Sequence, residues 1–215
     1  MKKLIIIMMA SLLMAGGLWA YNETDLVKFN ALNKCEGCDL SGIKLDRGKR
    51  QLCYNGPCDI DLALAKLNNA NLRGTDLSDT RLFMAQLKNA DLSGADLSGA
   101  DVSDADLSDA NLTGANLYGA KNGTYDGVNF TNANLSQANL SNTSFTRAKF
   151  IGANLSGAKF FNAKLEGVYF KGANLSGVDL TTADLTNASL EGAIFCKTIL
   201  PWGEVNDGCE PEITN

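Results

Sequence analysis

The chain has no histidine in 215 residues, which removes the commonest general base and the commonest neutral metal ligand together. It also has no Walker loop, no dinucleotide glycine motif, no Gly-x-Ser-x-Gly elbow and no calcium-loop spacing. Readings as a phosphate-cradling, hydride-transferring or acyl-transferring enzyme therefore lose their sequence support. Basic charge is absent between residues 89 and 120, and acidic residues outnumber basic ones by 24 to 19, a net charge of −5. An anionic chain is a poor partner for nucleic acid or an anionic membrane. No cofactor is implied and no catalytic residue can be nominated.

In place of these signatures the chain has a beat. Leu62, Leu67, Leu72, Leu77 and their successors recur every five residues as far as Leu117, and the series resumes at Tyr125 and Phe130 and runs on to Phe195. Five fits no ordinary element. Steps of about 100° smear such residues around a helix, and on a strand an odd period sends them alternately to opposite faces. The full unit, as in Ala90-Asp91-Leu92-Ser93-Gly94, resolves the conflict. Alanine and leucine, two apart, share a face, the aspartate between them points the other way, and Ser-Gly supplies a turn. Most of the 21 glycines fall at that turn position. A chain that turns after every unit in one sense winds into a coil with alanine and leucine inside.

A longer lag gives the size of the coil. Phe130-Thr-Asn-Ala-Asn-Leu-Ser136 recurs from Phe150 and again from Phe170, at intervals of twenty. Four units per coil follow, with Phe130, Phe150 and Phe170 stacked along one inner edge and coils about 4.8 Å apart, the spacing of hydrogen-bonded strands.

The alternating Ala-Asp-Leu-Ser-Gly and Ala-Asn-Leu blocks resemble the pentapeptide repeat family. The resemblance covers residues 58–195, with a first pair of units at Cys38-Asp39-Leu40 and Ile43-Lys44-Leu45. It implies an all-β fold, a right-handed quadrilateral β-helix. A solenoid of about seven coils gains its stability from neighbour contacts. Thr24 or Asp25 is expected to cap a short helix over Leu26, Val27, Phe29 and Leu32 that closes the first coil, because an uncovered terminal coil leaves backbone edges unpaired.

The expected organisation is a leader at 1–20, an N-terminal cap with first repeat units at 21–57, the β-helix at 58–195 and a C-terminal disulfide-closed capping loop at 196–215. Met1-Lys2-Lys3, an apolar stretch from Leu4 to Met14 and small residues before Tyr21 have the anatomy of a secretory signal peptide. Leu18 is a poor residue three positions before a cut after Ala20, so an uncleaved anchor is the alternative. No lipid-modifiable cysteine stands at the cut. Loss of Lys2 and Lys3 with the leader takes the balance from 19 against 24 to 17 against 24, a net −7.

Export makes the six cysteines candidates for disulfides. Many pairings are open in principle, and the spacing favours local ones: Cys196 with Cys209, Cys53 with Cys58, and Cys35 with Cys38. Phe195-Cys196 through Gly208-Cys209 also resembles the C-terminal closure of family members, and Cys35-Glu-Gly-Cys38 resembles the entry segment of exported ones. Zinc on Cys35, Cys38, Cys53 and Cys58 is the sharper alternative, but the interval from Cys53 to Cys58 is long for a zinc knuckle.

The aspartates invite one functional story. Family members that protect DNA gyrase from quinolones are acidic rods resembling duplex DNA, and Asp91, Asp96, Asp101, Asp104, Asp106 and Asp109 form an acidic run. At twenty residues per coil, however, Asp91, Asp96, Asp101 and Asp106 land on four different sides. Their expected vertical neighbours are Arg81, Gln86 and Asn71, with only Asp76 over Asp96 stacking like charges. The other departure from the beat is three extra residues between Leu117 and Tyr125, where a loop on a rigid scaffold would carry binding; Tyr118, Lys121 and Tyr125 are the candidates. The expectation is an exported, non-catalytic scaffold or protein-interaction module, monomeric or homodimeric, with an unknown protein partner, no nucleic acid, and no membrane unless the leader stays uncleaved. An acidic DNA mimic acting on a DNA-binding protein such as gyrase is the alternative.

Overall fold

The computed structural model describes Leu40, residues 62–119 and residues 125–209. The leader, the expected capping helix at Thr24 to Leu32, Lys121 and the cysteines Cys35, Cys38, Cys53 and Cys58 lie outside the described residues.

The chain winds as a four-sided coil. Parallel bridges join Lys66 to Gln86, Asn71 to Asp91, Asp76 to Asp96 and Arg81 to Asp101, each across twenty residues. Between Asp106 and Asn129, Asn111 and Asn134, and Asn116 and Asn139 the interval is twenty-three, after which twenty returns. The three extra residues are thus absorbed without breaking any of these three columns.

Every amide of a unit has its own destination, as the block from Ala95 to Gly99 illustrates. The Ala95 N–H closes the preceding turn on the Leu92 carbonyl at 2.9 Å, and the Asp96 N–H reaches back one coil to Thr75 at 2.9 Å. The Leu97 and Gly99 amides reach forward one coil to Asn116 and Tyr118, at 2.7 and 3.0 Å. The Ser98 N–H, the fifth, donates to the Asp96 carboxylate of its own unit at 2.9 Å. Backbone donors buried in such a wall must be paired, and an Asx turn supplies the one bond the ladder cannot. This is why the outward middle position is Asp or Asn so often.

The fifth residue of the unit sits at positive φ, as in Gly94 at 64° and Gly114 at 65°. Asn and Asp tolerate this region and glycine enters it freely, yet Leu64, Met84 and Arg147 adopt it too, at 60°, 56° and 60°. Thr182 does not, because a β-branched side chain is disfavoured there. Its hydroxyl instead accepts the Asn162 N–H at 2.9 Å, in place of a backbone carbonyl.

The first and third positions fill the interior. Ala95, Leu97, Ala100, Val102, Ala105 and Leu107 are at most 1% exposed. The Phe130 and Phe150 rings stack at 5.0 Å with 14° between planes, and Phe150 and Phe170 at 5.2 Å with 15°. Phe145 meets Phe150 edge-on at 5.5 Å, so the later coils hold a packed aromatic column.

At the beginning, Leu40 is buried and its N–H bonds the Asn71 carbonyl at 2.7 Å, the bond Leu62 makes with Arg81. Leu40 therefore stacks on the column of Leu72. At the other end the expected capping loop is an antiparallel hairpin. Strand β1 (Thr198–Leu200) pairs with β2 (Gly203–Val205), matching Ile199 with Glu204. The chain then crosses back over its own last coil. The Asp207 carbonyl accepts the Phe195 N–H at 2.9 Å and Asn206 Oδ1 accepts that of Lys197 at 2.8 Å. These two amides correspond to those of Leu175 and Gly177, which reach the following coil. Cys196 and Cys209 are joined by a disulfide with their Cα atoms 4.6 Å apart, which fixes the hairpin's return.

Candidate functional site

The aspartates are occupied locally. Asp91, Asp96, Asp101 and Asp106 accept the amides of Ser93, Ser98, Ser103 and Ser108 at 2.9 to 3.1 Å. The amides of Asn111, Asn116 and Asn129, one coil on, donate to Asp91, Asp96 and Asp106 at 2.9 to 3.1 Å. The four carboxylates stand on different sides, and Asp76 pairs with Asp96 as the one like-charge step in their columns. Near the end of the rod, the hydroxyl and amide of Thr181 hold the Asp179 carboxyl below its usual range, and those of Thr186 do the same for Asp184. Among the described residues no group of three or more His, Cys, Asp or Glu side chains lies close enough to hold a metal ion.

The skipped segment gives a different result for each of its three candidates. Tyr125 is fully buried and donates its hydroxyl to the Leu97 carbonyl at 2.7 Å. Its ring lies 5.2 Å from Phe145, and burial, assisted by the charges of Asp96 and Asp101, pushes its ionisation far above the ordinary tyrosine range. It is a core residue and cannot meet a partner, which corrects its nomination as a binding residue. The beat itself carried the correct signal, since Tyr125 occupies an inward position. Tyr118 is 40% exposed. Lys121 lies outside the described residues.

Tyr118 belongs to a corner whose make-up the sequence does not advertise. The bridges Asn116–Asn139–Lys159–Asp179–Ile199 order one side of the rod, and the turn following each of these residues builds the adjoining corner. From Ser98 onward the corner reads Ser-Gly, Tyr118-Gly119, Ser141-Asn142, Phe161-Asn162, Thr181-Thr182 and Pro201-Trp202, six turns without a charged residue. Phe161 is 58% and Trp202 66% exposed. Of the four large aromatic side chains exposed among the described residues, only Tyr169 stands elsewhere. Ser141, whose turn lies between those of Tyr118 and Phe161, is only 7% exposed. The corner that runs from Ser93-Gly94 through Thr113-Gly114, Ser136-Gln137 and Ser156-Gly157 to Ser176-Gly177 is uncharged over five turns, between Arg73 and Lys197, but carries no exposed aromatic.

Gly119 is the last described residue before the extra residues. Its N–H donates to the Ser141 carbonyl at 3.2 Å, and a Cβ there would meet the Asn142 carbonyl and Thr143 Oγ1, the latter at 2.7 Å. The Thr143 hydroxyl donates to the Leu117 carbonyl at 2.8 Å. Gly119 and Leu117 are thus tightly pinned to the next coil.

The family model described as pentapeptide repeats matches in 8 copies, over residues 59–83, 85–121, 129–167 and 163–200. Proteins of this description fold as right-handed quadrilateral β-helices. Among solved structures, the chain is similar to a trypsin-treated variant of QnrB1, a plasmid-mediated fluoroquinolone resistance protein. The likeness is 20% identity with a TM-score of 0.60, covering 81% of this chain and 80% of that one, and it is a likeness of fold. HetL of the cyanobacterium Nostoc, involved in heterocyst differentiation regulation, is 26% identical over 86% of this chain and 99% of its own, with a TM-score of 0.30. A pentapeptide repeat protein of the Arabidopsis thaliana thylakoid lumen is 28% identical over 67% and 75%, with a TM-score of 0.29. No curated protein matches the chain.

Proposed function

This chain belongs to the pentapeptide repeat family, and we propose that it is an exported, non-catalytic scaffold that presents one corner of a rigid rod to a protein partner. The observation that carries this reading is the distribution of departures from the repeat. Three of the four aromatic side chains exposed among the described residues fall on a single corner, the one whose turn at Tyr118-Gly119 is followed in sequence by the three extra residues, and binding on repeat scaffolds concentrates where the repeat is decorated. Exposed aromatic residues on an otherwise polar surface are the usual currency of protein contacts. Export is supported by the Cys196–Cys209 disulfide, since such bonds persist in oxidising compartments, together with the leader anatomy of residues 1–20.

The acidic-mimic reading has less in its favour. A mimic of duplex DNA needs continuous negative strips, whereas Asp91 is followed in its column by Asn111 and Asn134, and Asp106 by Asn129 and Lys149. Supercoiling by gyrase should be unaffected by micromolar mature chain; inhibition or quinolone protection would restore that reading. The scaffold reading is tested by pull-down from envelope fractions with the full mature chain. The control lacks Lys121, Asn122 and Gly123, which restores the interval of five between Leu117 and Tyr125. A partner lost with the deletion or with Phe161→Ser supports the corner, and capture indifferent to both rejects it.

A further inference from the structure

One side of the rod carries opposite charges two coils apart. Its bridges run Lys66–Gln86–Asp106–Asn129–Lys149–Tyr169–Ser189. Along the corner that precedes it, the amides of Met84, Asp104, Gly127 and Arg147 each reach the turn one coil on, which orders these residues and then Gly167. Asp104 and Asp106 therefore share one coil, Arg147 and Lys149 share the coil two further on, and Gly127 and Asn129 stand between. The same division runs around the rod, with no basic residue from 89 to 120 and no acidic one from 127 to 165.

These four side chains have capacity for an outside contact. Among the described residues Arg147 and Lys149 are exposed and in no ion pair, and Asp104 is exposed as well. The bonds that Asp106 accepts from Ser108 and Asn129 both fall on Oδ1, which leaves Oδ2 for a partner. Their charged neighbours are already matched: Lys88 meets Asp109 at 3.6 Å and Lys171 meets Glu191 at 3.0 Å.

We infer that two copies of this chain pair along this side, antiparallel, about a two-fold axis that passes through Asn129. Such an axis inverts the order of the coils and keeps each residue's place across the side, so one patch serves both copies. Arg147 then faces the partner subunit's Asp104, Lys149 faces the partner subunit's Asp106, and symmetry repeats both contacts. One coil further out Tyr169, 46% exposed, faces the partner subunit's Gln86 beside the equally exposed Met84. Other arrangements of the same side are repulsive. A parallel pair sets Asp106 on Asp106 and Lys149 on Lys149, and an antiparallel axis moved one coil either way does the same for one of them; like charges in contact select against both. The side of Asp76 has no equivalent match, because placing Asp96 against Lys159 also places Asp76 against Asp179. From Lys66 to Ser189 the side runs about 29 Å and is about 10 Å across, smaller than the roughly 800 Å² per partner of a tight complex, so the dimer is weak. The Tyr118 corner is not part of this side and stays open in the pair, so the inference does not depend on the scaffold reading.

Sedimentation equilibrium of the full mature chain tests it in about 0.1 M salt, where like charges beyond roughly 10 Å are screened. A monomer–dimer equilibrium is expected, with a dissociation constant on the order of 100 μM, weakening about tenfold at roughly 1 M salt, where screening reaches contact distance. Asp104→Arg and Arg147→Glu should each weaken it about tenfold or more with thermal melting unchanged, since both positions are exposed turn residues with the same backbone, φ 56° and 60°. Mixed in equal amounts, the two variants should associate as well as wild type, because each intact charge then meets a reversed one. The inference is overturned by a monomer at about 1 mM chain, by association indifferent to salt or to either variant, or by a mixture that associates no better than its parts.

Discussion

The buried hydroxyl of Tyr125 donates to the carbonyl of Leu97 at 2.7 Å, across 28 residues of chain and one coil of the rod. That carbonyl also accepts the Ala100 N–H at 3.0 Å, so Tyr125→Phe leaves it partnered and should cost about 0.5 to 1.5 kcal/mol. The difference depends on pH. Burial raises the phenol's ionisation in the folded chain, so its contribution is complete below the unfolded value of about 10 and is lost above it, by roughly 1.4 kcal/mol per pH unit. Denaturant titrations from pH 8 to 11 should show the wild-type advantage over Tyr125→Phe shrinking above pH 10.

A second prediction separates structural from functional aspartates. Asp96→Asn keeps an oxygen for the Ser98 N–H and relieves the like-charge step with Asp76. It should match or exceed wild type by about 0.2 to 0.5 kcal/mol at low salt, the gain fading as salt rises. Asp96→Ala deprives the Ser98 and Asn116 donors and should cost about 1 kcal/mol. Chemical denaturation measures both, and equal effects would dissolve the Asx-turn account.

Gly119→Ala should destabilise by about 1 to 3 kcal/mol, because the new methyl meets the Asn142 carbonyl and Thr143 in the next coil. Gly94→Ala, with nothing within 4 Å but a φ of 64°, should also destabilise, through backbone strain of about 1 kcal/mol. Urea midpoints measure both, and a Gly119→Ala variant as stable as wild type would refute the close approach of the two coils at this point.

Replacing Cys196 and Cys209 by serine opens a loop of 13 residues and should lower stability by about 3 kcal/mol. Because coils of a solenoid contact only their neighbours, the loss should be regional. Hydrogen exchange of Phe195 and Lys197, whose acceptors come from the hairpin, should quicken while that of Leu97 and Leu112 holds.

Leu107 is 1% exposed in the wall of the central coils. Leu107→Asp buries an unpaired carboxylate, a penalty of several kcal/mol, and should abolish cooperative melting. A native melting curve would refute the inward facing of the third position.

Much of this molecule is legible in its letters, for identifiable reasons. The inward positions, the twenty-residue register and the columns joining Asn71 to Asp91 and Asp76 to Asp96 follow from periodicity, because each unit meets the same two neighbours. The role of Tyr125 was legible from its place in the beat and obscured by its nearness to the extra residues. The aromatic corner was hidden because Tyr118 and Phe161 are 43 residues apart, across the three-residue shift, and Phe161 and Trp202 41, one position off register. The hairpin from Thr198 to Val205 was illegible for the opposite reason: it reverses direction where the repeat, which only moves forward, has no more to say.

The forward reach of the amides gives the rod an electrical direction. In each unit two N–H groups, such as those of Leu97 and Gly99, aim toward the later coil and one, that of Asp96, toward the earlier. Each bond aligns a peptide dipole with its N–H at the positive end, and since every side of the coil runs the same way the excess is not cancelled by alternating strands as in common sheets. The polarity is opposite to that of an α-helix: the last coil is the electropositive end and the first the electronegative one. The backbone alone therefore favours an anion at the hairpin end of the rod and a cation at the opposite end, a bias that adds to the charges of the side chains placed there.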